Sequence, residues 1–318
     1  MTKRGFSLIE LLVVIGIIAV LSAVLLVSFS GATDSARAAK CLSNMRSLAQ
    51  AVNSYAMEEN TYPYAGSFET IGSDPETHRP AYMSQPGWIS WLCKGNYDSV
   101  KGSSSHRSNP IAPYYGTGND DDALFALTNG TLWVSCAKNR SLYVCPLHSR
   151  YCTEHGKAQP VWSYVMNAKF GWDYEKGSKP LSLKGMMYGA LSRADRTLLF
   201  AELPTIDPTT GKDASEKHSG LTADCVLQYQ DVKSAKGVKG LYSSSSGEAE
   251  SIGFVHTIGK GMPCAHIVFA DGHTEKLAWR NGGDDVKRLT AYLCRGWDVT
   301  FSSKNGWKLA PDADQIED

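Results

Sequence analysis

The chain has 318 residues, with 32 basic and 32 acidic side chains and a formal net charge of zero. That length admits one large domain or two ordinary ones, and the balanced charge offers no basic field for a nucleic-acid backbone, so nucleic acid is not an expected partner. No G-x-S-x-G, H-E-x-x-H, Walker-type loop or G-x-G-x-x-G is present, so the sequence carries no enzyme signature.

The first element is an apolar run. From Phe6 to Phe29 the only strongly polar side chain is Glu10, and these 24 residues at about 1.5 Å rise would span roughly 36 Å, enough for a hydrocarbon core of about 30 Å. Lys3 and Arg4 precede the run and the first acidic residue after it is Asp34, which by the positive-inside rule puts the N-terminus in the cytoplasm and the rest outside. A plain signal peptide has a shorter apolar core and needs no carboxylate. A lone carboxylate in lipid costs about 2.5 kcal/mol or more and such groups usually have a partner, so Glu10 calls for a cation.

The stretch "RGFSLIELLVVIGIIAVLSAV" resembles the type IV prepilin N-terminus shared by type IV pilins and type II secretion pseudopilins: a short basic leader, Gly, Phe, and Glu at the fifth position after the Gly. The resemblance implies a leader of residues 1–5, cleavage by prepilin peptidase between Gly5 and Phe6, N-methylation of Phe6, and pairing of the new amine with Glu10 of a neighbouring subunit. It further implies a single-pass bacterial inner-membrane precursor with its head in the periplasm, and a filament in the periplasm or at the cell surface. The implied partners are other copies, minor pilin-like subunits, membrane lipid, and a platform protein with an ATPase, since this chain has no nucleotide site. The expectation is a structural subunit and not an enzyme. The competing reading is a membrane-anchored exported enzyme or carbohydrate-binding protein that uses a prepilin-type anchor.

Helical spacing continues through "TDSARAAKCLSNMRSLAQAVNSYAMEEN", where Leu42, Met45, Leu48, Ala49, Val52, Tyr55 and Ala56 fall on one stripe. This divides the chain into residues 1–5, a membrane or filament-core helix at 6–29, an amphipathic continuation at 30–59 and a head at 60–318. Asn60 and Pro63 stop the helix. In the head, strands are predicted at Thr131–Ser135, Ser141–Cys145, Val161–Met166, Arg196–Ala201, Asp224–Tyr229, Ile252–His256, His266–Ala270 and Thr274–Trp279, with short helices at Asp121–Leu127 and Asp284–Cys294. The fold class read from this pattern is α+β: a long N-terminal helix packed on a mainly antiparallel sheet.

The blocks "YVCPLH", "SYVMNAKFG", "LSRADRTLLFAE" and "HIVFADGHTEKL" resemble, in the same order, those of large pseudopilin-like proteins with a C-terminal H-X9-DG motif. The chain departs from that motif: with nine intervening residues before Asp271 stands Gly261, while His256 is fourteen intervening residues away. Asp271 and Gly272 carry over directly and His256 only through an insertion.

Three constellations have two readings each. Asp271-Gly272 between apolar runs is a hairpin turn, read as type I′, or, with His256, His266 and His273, part of a metal set. Asn119, Asp120, Asp121 and Asp122 cap a helix, or offer hard oxygens to Ca2+, the one candidate cofactor. The eight cysteines, Cys41 with Cys93, Cys136, Cys145, Cys152, Cys225, Cys264 and Cys294, suit disulfides in an exported head or buried free thiols. The rival metal reading rests on Cys145, His148 and Cys152 in "CPLHSRYC", which matches no common zinc spacing.

Overall fold

A computed structural model describes residues 7–65, 68–73, 80–85, 87–89, 124, 126–156, 159–170, 174–175, 179–180, 187–204, 225–227, 251–258, 261–279, 283–302 and 306–309. The first element, α1, runs Leu8–Glu59 as 52 continuous helical residues, about 78 Å at 1.5 Å per residue. Ser7 opens it with a capping box: its hydroxyl accepts from the Ile9 N–H, and the Glu10 carboxylate accepts from the Ser7 N–H at 2.8 Å. Asn60 closes it in the left-handed region at φ 57, a conformation that Asn tolerates better than most residues.

The two halves of α1 differ in what they touch. Residues 7–23 are exposed on every side of the helix. Among the described residues no helix is long and apolar enough to cross a membrane; the side chains of 24–32, inside the expected Phe6–Phe29 span, lie outside the described residues. From Cys41 onward a stripe of Cys41, Met45, Leu48, Ala49, Val52 and Ala56 is fully buried. The buried face is centred on Cys41 rather than Leu42, which is half-buried at its margin with Tyr55.

That face packs on a six-stranded sheet. Its members are β3 (Tyr164–Asn167), β6 (Leu198–Glu202), β7 (Val226–Leu227), β8 (His256–Ile258), β9 (Met262–Phe269) and β10 (Thr274–Ala278). The order is β10-β9-β6-β3-β7, with β8 also paired to β9. Every pairing is antiparallel except β3 with β7, so the chain is α+β with a mainly antiparallel sheet. All five residues of β6 are buried, which means both of its alternating faces are covered. Separate two-stranded ribbons are β1 (Phe68–Ser73) with β2 (Pro80–Gln85), β4 (Tyr174–Glu175) with β5 (Lys179–Pro180), and β11 (Val299–Ser302) with β12 (Gly306–Leu309).

Further helices of the head include α2 (Pro146–Glu154) beside α1 and α3 (Gly283–Arg295) beside β6. The buried Asn44 of α1 donates to the carbonyls of Ser141 and Val144 at 2.9 and 3.1 Å, fixing the segment that leads into α2. Asn167 of β3 likewise donates to Leu198 and Cys294, joining β6 to α3.

Several predicted strands are corrected. Residues 131–138 form turns, because Leu132 and Cys136 are the buried pair, four apart, and Val134 between them is 72% exposed. The predicted strand Ser141–Cys145 is a 3-10 turn, Arg140–Leu142, nucleated by the Asn139 side chain, followed by the N-terminus of α2 with Pro146 at its first position. Residues 252–255 are not strand: the Gly253 N–H donates to the Glu202 carbonyl, carrying the segment past the end of β6 before β8 begins at His256. Of the predicted helix Asp121–Leu127, residues 124, 126 and 127 are described and helical, and the helix continues to 128.

Candidate functional site

The described residues of the expected N-terminal site begin just inside it. Gly5 and Phe6 lie outside the described residues, whereas Glu10 sits in the first turn of α1, on the exposed apolar stem, with the Ser7 N–H on one carboxylate oxygen. A carboxylate has several lone-pair sites, so this intrachain bond leaves capacity for a second donor.

A second, unanticipated constellation lies in the core where α1 meets the sheet. Cys41 comes from the buried stripe of α1, Cys145 is the N-cap of α2, Glu202 ends β6 and His256 starts β8. Strand register explains why the last two meet. β6 and β8 lie along the same edge of β9, with Ala201 opposite Ile267 and His256 opposite Cys264, so Glu202 and His256 approach each other across the position of His266. The Glu202 Oε1 atom accepts from the Cys41 thiol at 2.7 Å and faces His256 Nε2 at 2.5 Å, and Cys145 Sγ lies 3.7 Å from the same nitrogen. One ligand atom from each of the four residues lies within 4.8 Å of the others, and all four residues are buried.

Surrounding donors orient these groups. The His266 N–H donates to Glu202 Oε2 at 3.0 Å, the Tyr164 hydroxyl donates to Cys41 Sγ at 3.4 Å, and the His266 ring stacks on His256 with centroids 3.8 Å apart. Burial raises the Glu202 carboxyl, but the charge and hydrogen bond of His256 outweigh it and hold the group below its ordinary value. Burial lowers His256, and the Glu202 charge overcomes this to bring it up to about 10. These two therefore form a buried ion pair at neutral pH. Burial also raises Cys145, yet hydrogen bonds with Cys41 and His256 bring it down to about 7; Cys41, raised by burial and by its neighbours, stays a thiol. Burial pushes His148 and His266 down to about 4.

Glu202 and His256 side chains are 0% and 1% exposed. A substrate cannot reach them without opening the core, so the cluster suits holding something small rather than surface catalysis.

Of the sequence-predicted metal residues, His256 and His266 stay together with stacked rings, while Asp271 and His273 form a separate pair. Asp271 is not with His256: it lies beyond the far end of β9, at least about 15 Å along the strand at 3.3 Å per residue. There its Oδ1 accepts from the N–H and the ring nitrogen of His273, at 3.0 and 2.6 Å. The turn is also corrected. Thr274 pairs with Val268 and the Gly272 N–H donates to the Phe269 carbonyl, so the loop is Ala270-Asp271-Gly272, with only Gly272 at positive φ, 92. A three-residue loop closed by a left-handed Gly replaces the two-residue type I′ turn. Asp120, Asp121 and Asp122 lie outside the described residues.

Seven cysteines, Cys41, Cys136, Cys145, Cys152, Cys225, Cys264 and Cys294, are buried, and among the described residues no disulfide joins any two of them; Cys93 lies outside the described residues. Most sit in local core contacts, as Cys225 does between the carbonyls of Ala65 and Ile89. Cys145 groups with Cys41, Glu202 and His256, whereas His148 of α2 is buried with its Nδ1 3.0 Å from the Ser163 hydroxyl. Sequence reasoning missed Cys41, hidden in an apolar helix stripe, and Glu202. The signal for Glu202 was its place: a carboxylate ending the apolar strand "LLFAE" must either leave the core or find partners inside it.

The family model for the prokaryotic N-terminal methylation motif matches residues 1–26. The match covers the N-terminal motif of a prepilin-type processed protein, a pilin or pseudopilin, and does not extend into the head. No curated protein and no solved structure matches the chain.

Proposed function

We propose that the chain is a pilin-like structural subunit, the pseudopilin of a type II secretion system or the subunit of a type IV pilus-like filament, processed by prepilin peptidase and assembled through α1. The observation that carries this reading is the methylation motif at residues 1–26, which covers the start of a helix whose residues 7–23 are exposed on all sides and apolar apart from Ser7, Glu10 and Ser22. A surface of that kind is covered in lipid or against identical neighbours. In the precursor, α1 sits in the inner membrane with the head in the periplasm. After cleavage the Phe6 amine of one subunit and Glu10 of the next become complementary charges in a low-dielectric stem, where removing one partner strands the other at a cost of about 3–5 kcal/mol.

Co-expression with a prepilin peptidase tests the processing. The expected mass change is loss of residues 1–5 and gain of one methyl group, abolished by Gly5→Glu; a full-length mass beside an active peptidase overturns it. Electron microscopy tests assembly: the processed protein should give thin filaments, and Glu10→Ala should insert into the membrane yet fail to assemble. Processed protein without filaments would point instead to an exported enzyme or carbohydrate-binding protein on a prepilin-type anchor.

A further inference from the structure

We infer that Cys41, Cys145, Glu202 and His256 form a structural zinc site that locks the stem helix to the head. The inference does not rest on the filament reading; it follows from four side chains that converge from four separate elements on one buried point.

The donor set selects the metal. Two sulfurs, an imidazole nitrogen and one carboxylate oxygen are poor ligands for calcium or magnesium, which take oxygen, and are the ordinary ligands of tetrahedral Zn2+. Zinc bonds of about 2.0–2.3 Å impose donor separations of roughly 3.3–3.8 Å in a tetrahedron. The four ligand atoms already lie within 4.8 Å of one another, with Cys145 Sγ to His256 Nε2 at 3.7 Å. Glu202 Oε1, at 2.5 and 2.7 Å from His256 Nε2 and Cys41 Sγ, moves outward by a fraction of an ångström or turns its second oxygen inward.

The outer groups suit a metal with anionic ligands. The Tyr164 hydroxyl and the His266 N–H both donate, to Cys41 Sγ and Glu202 Oε2 respectively, and donors to thiolate and carboxylate ligands are what such a site requires. Among the described residues the buried His256 Nδ1 has no hydrogen-bond partner, so the ring is not committed there to an alternative network. Loading forms bonds from zinc to Sγ, Sγ, Nε2 and a carboxylate oxygen; the protons held on the thiols and between His256 and Glu202 leave to solvent, with no change of oxidation state.

The four ligands come from positions 41, 145, 202 and 256. Zinc would therefore close the head around residue 41 of α1, so that a force on the stem reaches the sheet through metal bonds as well as apolar packing.

The test uses the full-length protein in detergent. Elemental analysis after purification in zinc-containing buffer should give close to one zinc per chain, falling to near zero in Cys41→Ser and His256→Ala and unchanged in Cys264→Ser, a buried cysteine outside the set. Since a ligand variant can fail to fold, the deciding measurement is on the unaltered chain. After chelation, Co2+ should produce a thiolate-to-cobalt charge-transfer band and the intense visible bands of a tetrahedral site, and added Zn2+ should abolish them and raise the Tm. A folded protein with no zinc and no thiolate–cobalt band overturns the inference. So does a Cys41–Cys145 disulfide found by alkylation and mass analysis without reduction.

Discussion

Gly253 and His148 stand outside both the four-residue cluster and the N-terminal motif, yet each has a specific physical task. A Cβ on Gly253 would lie 2.4 Å from the Leu203 carbonyl oxygen, so the segment that delivers His256 can pass the end of β6 only without a side chain. Gly253→Ala should destabilise the head by about 1–3 kcal/mol through forced backbone displacement, read as a lower denaturation midpoint; an unchanged midpoint sinks that account. His148 is fully buried, its Nδ1 is 3.0 Å from the Ser163 hydroxyl, and burial depresses it to about 4 against an ordinary value near 6.5. The unfolded chain therefore takes up a proton at a pH where the folded chain refuses it. The contribution is complete above pH ~6.5 and is lost as pH falls toward ~4, on the order of 3 kcal/mol. His148→Gln, which keeps a polar group for Ser163 but cannot titrate, should flatten the stability profile across that interval; an unaltered slope would rule His148 out. At this scale the sequence reading found His256 but attached it to Asp271, since a turn motif is local. Of the residues grouped with it in the sequence only His266 of β9 is its neighbour; its other neighbours come from α1, α2 and β6, and no local pattern encodes their meeting.

Among elements, α1 was the most legible, because its end is set by one residue's backbone preference at Asn60 and its buried face by 3.6-residue spacing. The head's first half was less so. "TLWVS" and "SLYVC" alternate like strands, but the burial of Leu132 and Cys136 four apart and the Asn139 and Pro146 start signals favour turns and a helix. Tertiary contact with Asn44 then holds that segment in place. The packing of α1 rests on apolar burial more than on its surface ion pairs. Leu48, fully buried, should cost about 2–5 kcal/mol when replaced by Ala. Asp34 bonds Arg37 at 2.8 Å and Arg150 of α2 at 2.6 Å, but it is 43% exposed, so Asp34→Asn should cost less than about 1 kcal/mol. Denaturant titration of the two variants decides the order, and comparable losses would show that the α1–α2 ion pairs carry real stability.

For the whole molecule the question is where the independent folding unit starts. Residues 7–23 are exposed throughout, Asp34 ties α1 to Arg150 of the head, and among the described residues the first buried core residue on α1 is Cys41. Nothing described in the first 23 residues is covered by the head, so that part of the stem has no packing to lose. Its apolar surface instead drives the intact chain toward lipid, detergent or other copies. Removing residues 1–29 should therefore yield a soluble monomer whose Tm stays within a few degrees of the detergent-held full chain, while the full chain aggregates when detergent is withdrawn. Sedimentation and thermal unfolding of both proteins test this together. A truncated chain that unfolds or aggregates would mean that the stem stabilises the head directly, and the division of labour along α1 between assembly and folding would have to be redrawn.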